Sequence, residues 1–131
     1  MRKIVVMADA SVQEEGAGVG LAIKDAAGKL IGWRGKRLPR MTNTAAEYAA
    51  VVFALEQALG FDADDVTVCC DSQVVIEQLR GVYAIRCQAL QPLHQKVLRL
   101  AQRFAHVCFV YIPRAQNRLA DAMAAEVVNG D

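Results

Sequence analysis

Four carboxylates in this sequence stand where a carboxylate needs a reason. Asp9 closes the apolar run Lys3–Asp9, and Asp71 directly follows the apolar stretch Asp65–Cys70. Glu47 lies in the opening turns of an alanine-rich helical segment, and Asp121 in the opening turns of the last one. A buried unpaired charge is expensive, and carboxylates gathered in one place repel one another unless a cation holds them. Oxygen-only donors of this kind suit Mg²⁺ or Mn²⁺. Each residue also has a plainer reading. Asp9 fits a turn. Thr44-Ala45-Ala46-Glu47 fits a capping box, with the glutamate bonding back to the cap. Asp71 fits a helix cap beside Ser72, and Asp121 complements the dipole of a helix N-terminus. The cation reading therefore depends on whether the fold brings the four to one crevice.

The elements that must do this can be read from hydrophobic pattern and turn chemistry. Lys3–Asp9 is a short buried strand. After the polar turn Val12–Gly16, Gly18–Lys24 reads as a second strand, and the Asp25-Ala26-Ala27-Gly28 turn leads to a third over Lys29–Gly35. Lys36–Met41 is a basic connecting loop. Asn43–Leu59 is the best helix, closed by Gly60. Its Ala46, Ala50, Ala54 and Ala58 recur every four residues, a stripe small enough to let the helix lie close on a sheet. Asp65–Cys70 is a strand after a helical crossover, so it runs parallel to the first. Ser72–Arg80 is a short helix with Ser72 as its cap and Gly81 as its stop. Ala89–Ala105 is an amphipathic helix, His106–Ile112 a strand ended by Pro113, and Asn117–Val128 the final helix. The order βββαβααβα predicts an α/β fold: a mixed five-stranded sheet, three strands antiparallel and two parallel, flanked by helices. In such sheets ligands bind where the strands' carboxyl ends meet the reversal of strand order, and the strands ending at Asp9 and Asp71 both point there.

Composition narrows the setting. The chain has 131 residues, of which 54% are hydrophobic and 22% charged, which predicts one folded domain over 1–131. No apolar run is long enough to span a bilayer, so no membrane association is expected. The sequence carries no signal region, and Cys69, Cys70, Cys87 and Cys108 show no C-x-x-C spacing. Reduced, mostly buried cysteines and a cytoplasmic location follow as the expectation. A net charge of +1 supplies no strong global field for nucleic acid, so any such binding must come from a local patch. No obligate protein partner is evident.

With these residues in place, the sequence resembles the type 1 ribonucleases H over essentially its whole length. The matching stretches are Asp9-Ala10-Ser11, Thr42-Asn43-Thr44-Ala45-Ala46-Glu47, Cys70-Asp71-Ser72-Gln73 and Asn117-Arg118-Leu119-Ala120-Asp121. The resemblance implies a ribonuclease H-like fold and a metal-dependent endonuclease. Such an enzyme uses two Mg²⁺ or Mn²⁺ ions to hydrolyse the RNA strand of an RNA–DNA hybrid, leaving 5′-phosphate and 3′-hydroxyl ends. It implies that Asp9, Glu47, Asp71 and Asp121 hold the ions. It also implies that Ser11, Asn43, Thr44, Gln73 and Asn117 contact substrate, with Asn43 and Gln73 in the minor groove, where 2′-hydroxyls are displayed. Three departures stand out. Ala10 replaces the usual glycine. The loop Pro113-Arg114-Ala115-Gln116 has no histidine, which leaves Arg114 to handle the scissile phosphate or product. The basic protrusion of some members is missing, since Gly81–Ala89 carries only Arg86. Two other readings stay open at this point: a non-catalytic nucleic-acid-binding domain with the same fold, and a related DNA nuclease.

Overall fold

The computed structural model describes residues 2–130; Met1 and Asp131 lie outside the described residues. One sheet contains β1 (Lys3–Gln13), β2 (Gly16–Asp25), β3 (Leu30–Leu38), β4 (Asp65–Cys70) and β5 (His106–Tyr111), in the order β3-β2-β1-β4-β5. The helices are α1 (Asn43–Gly60), α2 (Gln73–Leu79), α3 (Gln91–Ala101) and α4 (Arg118–Asn129). β1 pairs antiparallel with β2 and parallel with β4. β2 pairs antiparallel with β3, and β4 parallel with β5. Element order and mixed sheet both agree with the expectation. Among the described residues, no helix is long and apolar enough to cross a membrane.

Alternation along β1 sends its side chains to two faces. Ile4, Val6 and Ala8, all 0% exposed, join the main core with α1. Met7 joins a smaller cluster with Ala22, Cys69 and Ala120 of α4, and Asp9, two residues further on, shares that face. The alanine stripe of α1 is buried throughout, so this helix does lie close on the sheet. The buried Tyr48 ties α1 to its neighbours: its hydroxyl donates to Gln78 Oε1 at 2.6 Å, and its ring meets His94 edge-on at 6.3 Å. On the other face α4 rests directly on β2. A Cβ at Gly20 would collide with the Ala120 carbonyl and lie 2.5 Å from the Ala124 nitrogen. Because Gly20 is the cross-strand partner of Asp9, this contact also fixes how far α4 stands from Asp9.

Several boundaries differ from the sequence reading. β1 does not end at Asp9 but runs on to Gln13, its last residues held by pairing with Gly16–Val19. β3 extends to Leu38, so Lys36 and Arg37 belong to a strand and not to a loop. Lys36 lies over the Phe53 ring at 5.8 Å. α1 is capped by Thr42, whose hydroxyl accepts from the Ala45 N–H at 3.2 Å, which removes the capping box that Thr44 and Glu47 suggested. The helix passes through Gly60 and stops at Phe61, with Asp62 taking the left-handed turn at φ 57°. Ser72 caps α2 as expected, accepting from Val75. α3 starts at Gln91 and ends at Ala101, inside the predicted span. All four cysteines are free, but Cys87 and Cys108 are exposed rather than buried.

Candidate active site

The site opens where β1 outruns its neighbour. Pairing between β1 and β4 stops at Met7 and Cys69, while β1 continues with only β2 beside it. Asp9 therefore sits within a strand, on the side that β4 has vacated. Asp71 follows the last residue of β4, and Glu47 projects from the second turn of α1. A cleft of about 380 Å³ joins these three carboxylates, and Asn43 and Arg114 line it as well. Arg114 opens a single 3-10 turn, Arg114–Gln116, between β5 and α4. It brings a cation to a wall otherwise dominated by acids. Asp121 is not part of the lining; it approaches Asp9 from the first turn of α4.

The electrostatics report how closely the acids gather. Asp9 is only 8% exposed, and its carboxyl is pushed up to about 7. Burial is the main cause, followed by the charge of Asp71 and by the neighbouring carboxyl of Asp121; the Ala10 N–H pulls the other way. Glu47 is also raised, by burial and by Asp71, with the Ser72 hydroxyl opposing. The Cys70 thiol beneath them is pushed up to about 12, first by burial and then by Glu47, Asp71 and Asp9. Asp9 thus feels Asp71 and Asp121, and Glu47 feels Asp71. As they stand, no group of three among the described residues is closed round a point that would hold a metal. The donor set nevertheless fits a hard divalent cation: it is all oxygen, and its crowded negative charge raises the Asp9 carboxyl.

The predicted substrate contacts divide. Asn43 lines the cleft, whereas Ser11, Thr44 and Gln73 are outside its lining. Gln73 is the exposed first residue of α2, and Ser11 is the acceptor of a 3.4 Å contact from the Gln13 amide. Asn117 departs furthest from expectation. It is 1% exposed, and its side-chain amide donates to the Ala8 carbonyl at 2.9 Å, so it faces β1 and not a ligand. Tyr111, which the sequence reading passed over, is 45% exposed at the end of β5 and forms part of the cleft wall, as does Val12. The alternation Val107, Phe109, Tyr111 reads as core. The signal that could have found Tyr111 was its position opposite Cys70, directly before Asp71.

Known proteins resemble the chain over most of its length. A family profile described as "Reverse transcriptase-like" matches residues 7–127. The ribonuclease HI of Halobacterium salinarum is 34% identical over 113 residues, which is 86% of this chain and 57% of that protein. A bifunctional protein of Mycobacterium tuberculosis is 31% identical over 90 residues, 69% of this chain and 25% of that one. The chain therefore spans a little over half of the first relative and a quarter of the second. The crystal structure of RNase H1 from Halobacterium salinarum superposes with a TM-score of 0.95 at 30% identity, covering 98% of this chain and 99% of that one. LC11-RNase H1, solved in complex with an RNA/DNA hybrid, superposes with a TM-score of 0.87 at 28% identity and 94% coverage of both chains. By sequence, by sheet order and by superposition, the chain belongs to the type 1 ribonuclease H family.

Proposed function

We propose that residues 1–131 act as one ribonuclease H-like unit, an endonuclease that hydrolyses the RNA strand of RNA–DNA hybrids with two divalent cations. The observation that carries this reading is the convergence of Asp9, Glu47 and Asp71 on one cleft that Arg114 also lines, with Asp121 near Asp9. The hybrid-bound relative adds to it. When bound, the ions supply an activated water and stabilise the departing oxygen of an in-line displacement. In this reading Asp9, from the centre of the sheet, would hold both ions, Glu47 and Asp71 would support the leaving-group side, and Asp121 would support the side of the attacking water. Mg²⁺ or Mn²⁺ fits this oxygen donor set, and the cleavage leaves 5′-phosphate and 3′-hydroxyl ends. The exposed Asn43 and Gln73 face the minor groove. Tyr111 offers a sugar or base an apolar surface in an otherwise polar cleft. The direct experiment is strand-resolved cleavage of a labelled hybrid with and without either ion.

Two expected results follow from the cations. Arg114 is exposed, but it is the basic group lining the cleft. Arg114→Ala is expected to lower kcat on the order of 10²-fold, as the loss of a donor aimed at developing charge does, while divalent-ion affinity stays near wild type. Steady-state kinetics at saturating ion checks this, and wild-type turnover would return Arg114 to a solvated loop residue. Hybrid binding itself should depend weakly on salt. Arg34 lies over Phe61 at 5.5 Å and Lys36 over Phe53, which leaves Arg37, Arg40, Arg114 and Arg118 for phosphate. Each neutralised phosphate adds roughly −0.9 to the slope of log K against log salt on B-form duplex, so a slope of about −2 to −4 is expected for a hybrid. A salt titration with Asp9→Asn and divalent ion present measures it, and a slope steeper than about −6 would require a further basic surface.

A further inference from the structure

Asn117 makes a costly choice that the fold alone does not require. It stands directly before α4, where an asparagine ordinarily caps the helix, yet it makes no side-chain cap bond. Its Nδ2 donates instead to the Ala8 carbonyl at 2.9 Å. Its Oδ1 is buried with no hydrogen-bond partner, the one such atom found among the described residues. Such groups are rare in folded proteins and call for an explanation. Two sources of stability are thus forgone, a helix cap and a partner for Oδ1, and one long-range bond between the start of α4 and β1 is made in their place.

The address of that bond supplies the reason. Ala8 immediately precedes Asp9. The Asn117 backbone carbonyl accepts the Asp121 N–H at 3.0 Å, so Asp121 lies one turn further along the same helix. Beyond Met7 the pairing of β1 with β4 has ended, and the Asn117 amide supplies a donor to the strand at that point. The Asn117–Ala8 bond and the Asp121–Asp9 approach are therefore adjacent rungs between the same two elements. Close packing of α4 on Gly20 sets the height of the helix over the sheet, and the amide bond sets its position along β1.

We propose that Asn117 is a positioning residue: through its bond to the Ala8 carbonyl it sets the separation of Asp9 and Asp121, and thereby the affinity of this site for a divalent cation. The proposal rests on the metal reading above. It assigns Asn117 a role behind the site, in place of the substrate contact that the sequence suggested.

The test reads Mn²⁺ binding by calorimetry, without substrate, in the wild type, Asn117→Ala, Asn117→Leu and Val128→Ala. Asn117→Leu keeps much of the side-chain volume but loses the donor and adds no charge, and Val128→Ala loosens the far end of α4 without touching the tether. Thermal unfolding without metal accompanies each titration. Both Asn117 variants are expected to bind Mn²⁺ about tenfold more weakly, the scale found when a group supporting a metal ligand is removed, while Val128→Ala lowers the Tm yet stays within about twofold of wild-type affinity. If Asn117→Ala does not fold, Asn117→Ser carries the comparison, since its hydroxyl is too short to reach the same carbonyl. Wild-type Mn²⁺ affinity in the Asn117 variants, or an equal loss in Val128→Ala, would overturn the tether. A wild-type protein that binds no Mn²⁺ would overturn the metal reading itself, a separate and distinguishable result.

Discussion

Asp9→Asn is expected to abolish hybrid cleavage and, without divalent ions, to make the protein more stable. The loss of activity should be at least on the order of 10³-fold, because residues that act as a unit fail together when one is removed. The gain in stability follows from burial and crowding. Asp9 is 8% exposed, and its carboxyl is raised to about 7 by burial, by Asp71 and by Asp121. In the unfolded chain an aspartate titrates near 3.9. Folding therefore favours the protonated form, and the ionised form costs stability. That cost is absent below about pH 4, grows between about 4 and 7, and is complete above 7. Each tenfold difference in proton affinity corresponds to ~1.4 kcal/mol, so the limit is ~4 kcal/mol. Solvent at an open cleft screens part of this, and about 1–3 kcal/mol is the expected gain at pH 8. Thermal unfolding of both proteins in a chelator across pH 4 to 8 checks the sign. The variant's advantage should be largest at the alkaline end and vanish near pH 4. Equal stability at pH 8 would mean that the four acids do not strain the empty site.

Gly20→Ala is expected to damage stability and chemistry together. The added methyl meets the Ala120 carbonyl and the Ala124 nitrogen, which are helix backbone and cannot turn aside as a side chain can. Overpacking of this kind costs about 1–3 kcal/mol, and a backbone collision belongs at or above the upper end of that range. If α4 lifts to make room, Asp121 moves away from Asp9. A displacement of about 1 Å in a catalytic group can cost on the order of 10²-fold in rate. Gly60→Ala is the control: a Cβ there has nothing within 4 Å, and a helical glycine replaced by alanine should be neutral or stabilising. Chemical denaturation and cleavage rates of the two variants make the comparison. Full activity in a folded Gly20→Ala would show that α4 need not sit at this height for Asp121 to work.

The strands, the crossover to β4 and the four acids were readable because each carries a local pattern: apolar runs, an alanine stripe, a capping serine, carboxylates at the edges of elements. What escaped was what depends on distant partners. β1 continues past Asp9 because Ala10–Gln13 pair with Gly16–Val19, and the short alternation Ala10-Ser11-Val12-Gln13 after a charged residue reads as readily as a turn. Thr42 and Thr44 are equally good caps by type, and only the observed hydrogen bond to Ala45 decides for Thr42. Asn117 reads as a substrate contact, whereas its partner Ala8 lies 109 residues away in sequence. Tyr111 belongs to an alternating strand that reads as core, and it becomes cleft wall only because β5 lies beside β4 in register with Cys70. The exposed Cys87 and Cys108 follow the same logic, since a cysteine's burial depends on what the fold lays over it.

Whether this cleft is a metal-dependent hybrid nuclease is tested most directly by one assay. Labelled RNA–DNA hybrid, duplex RNA and duplex DNA are each incubated with the protein in chelator, in Mg²⁺ and in Mn²⁺, and the ends of any products are mapped. The expected result is cleavage of the RNA strand of the hybrid alone, only with a divalent ion, leaving 5′-phosphate and 3′-hydroxyl ends, and lost in Asp9→Asn. Cleavage of duplex DNA would place the chemistry in a different nuclease class, and binding of hybrid without cleavage in either ion would make the fold a non-catalytic binding domain.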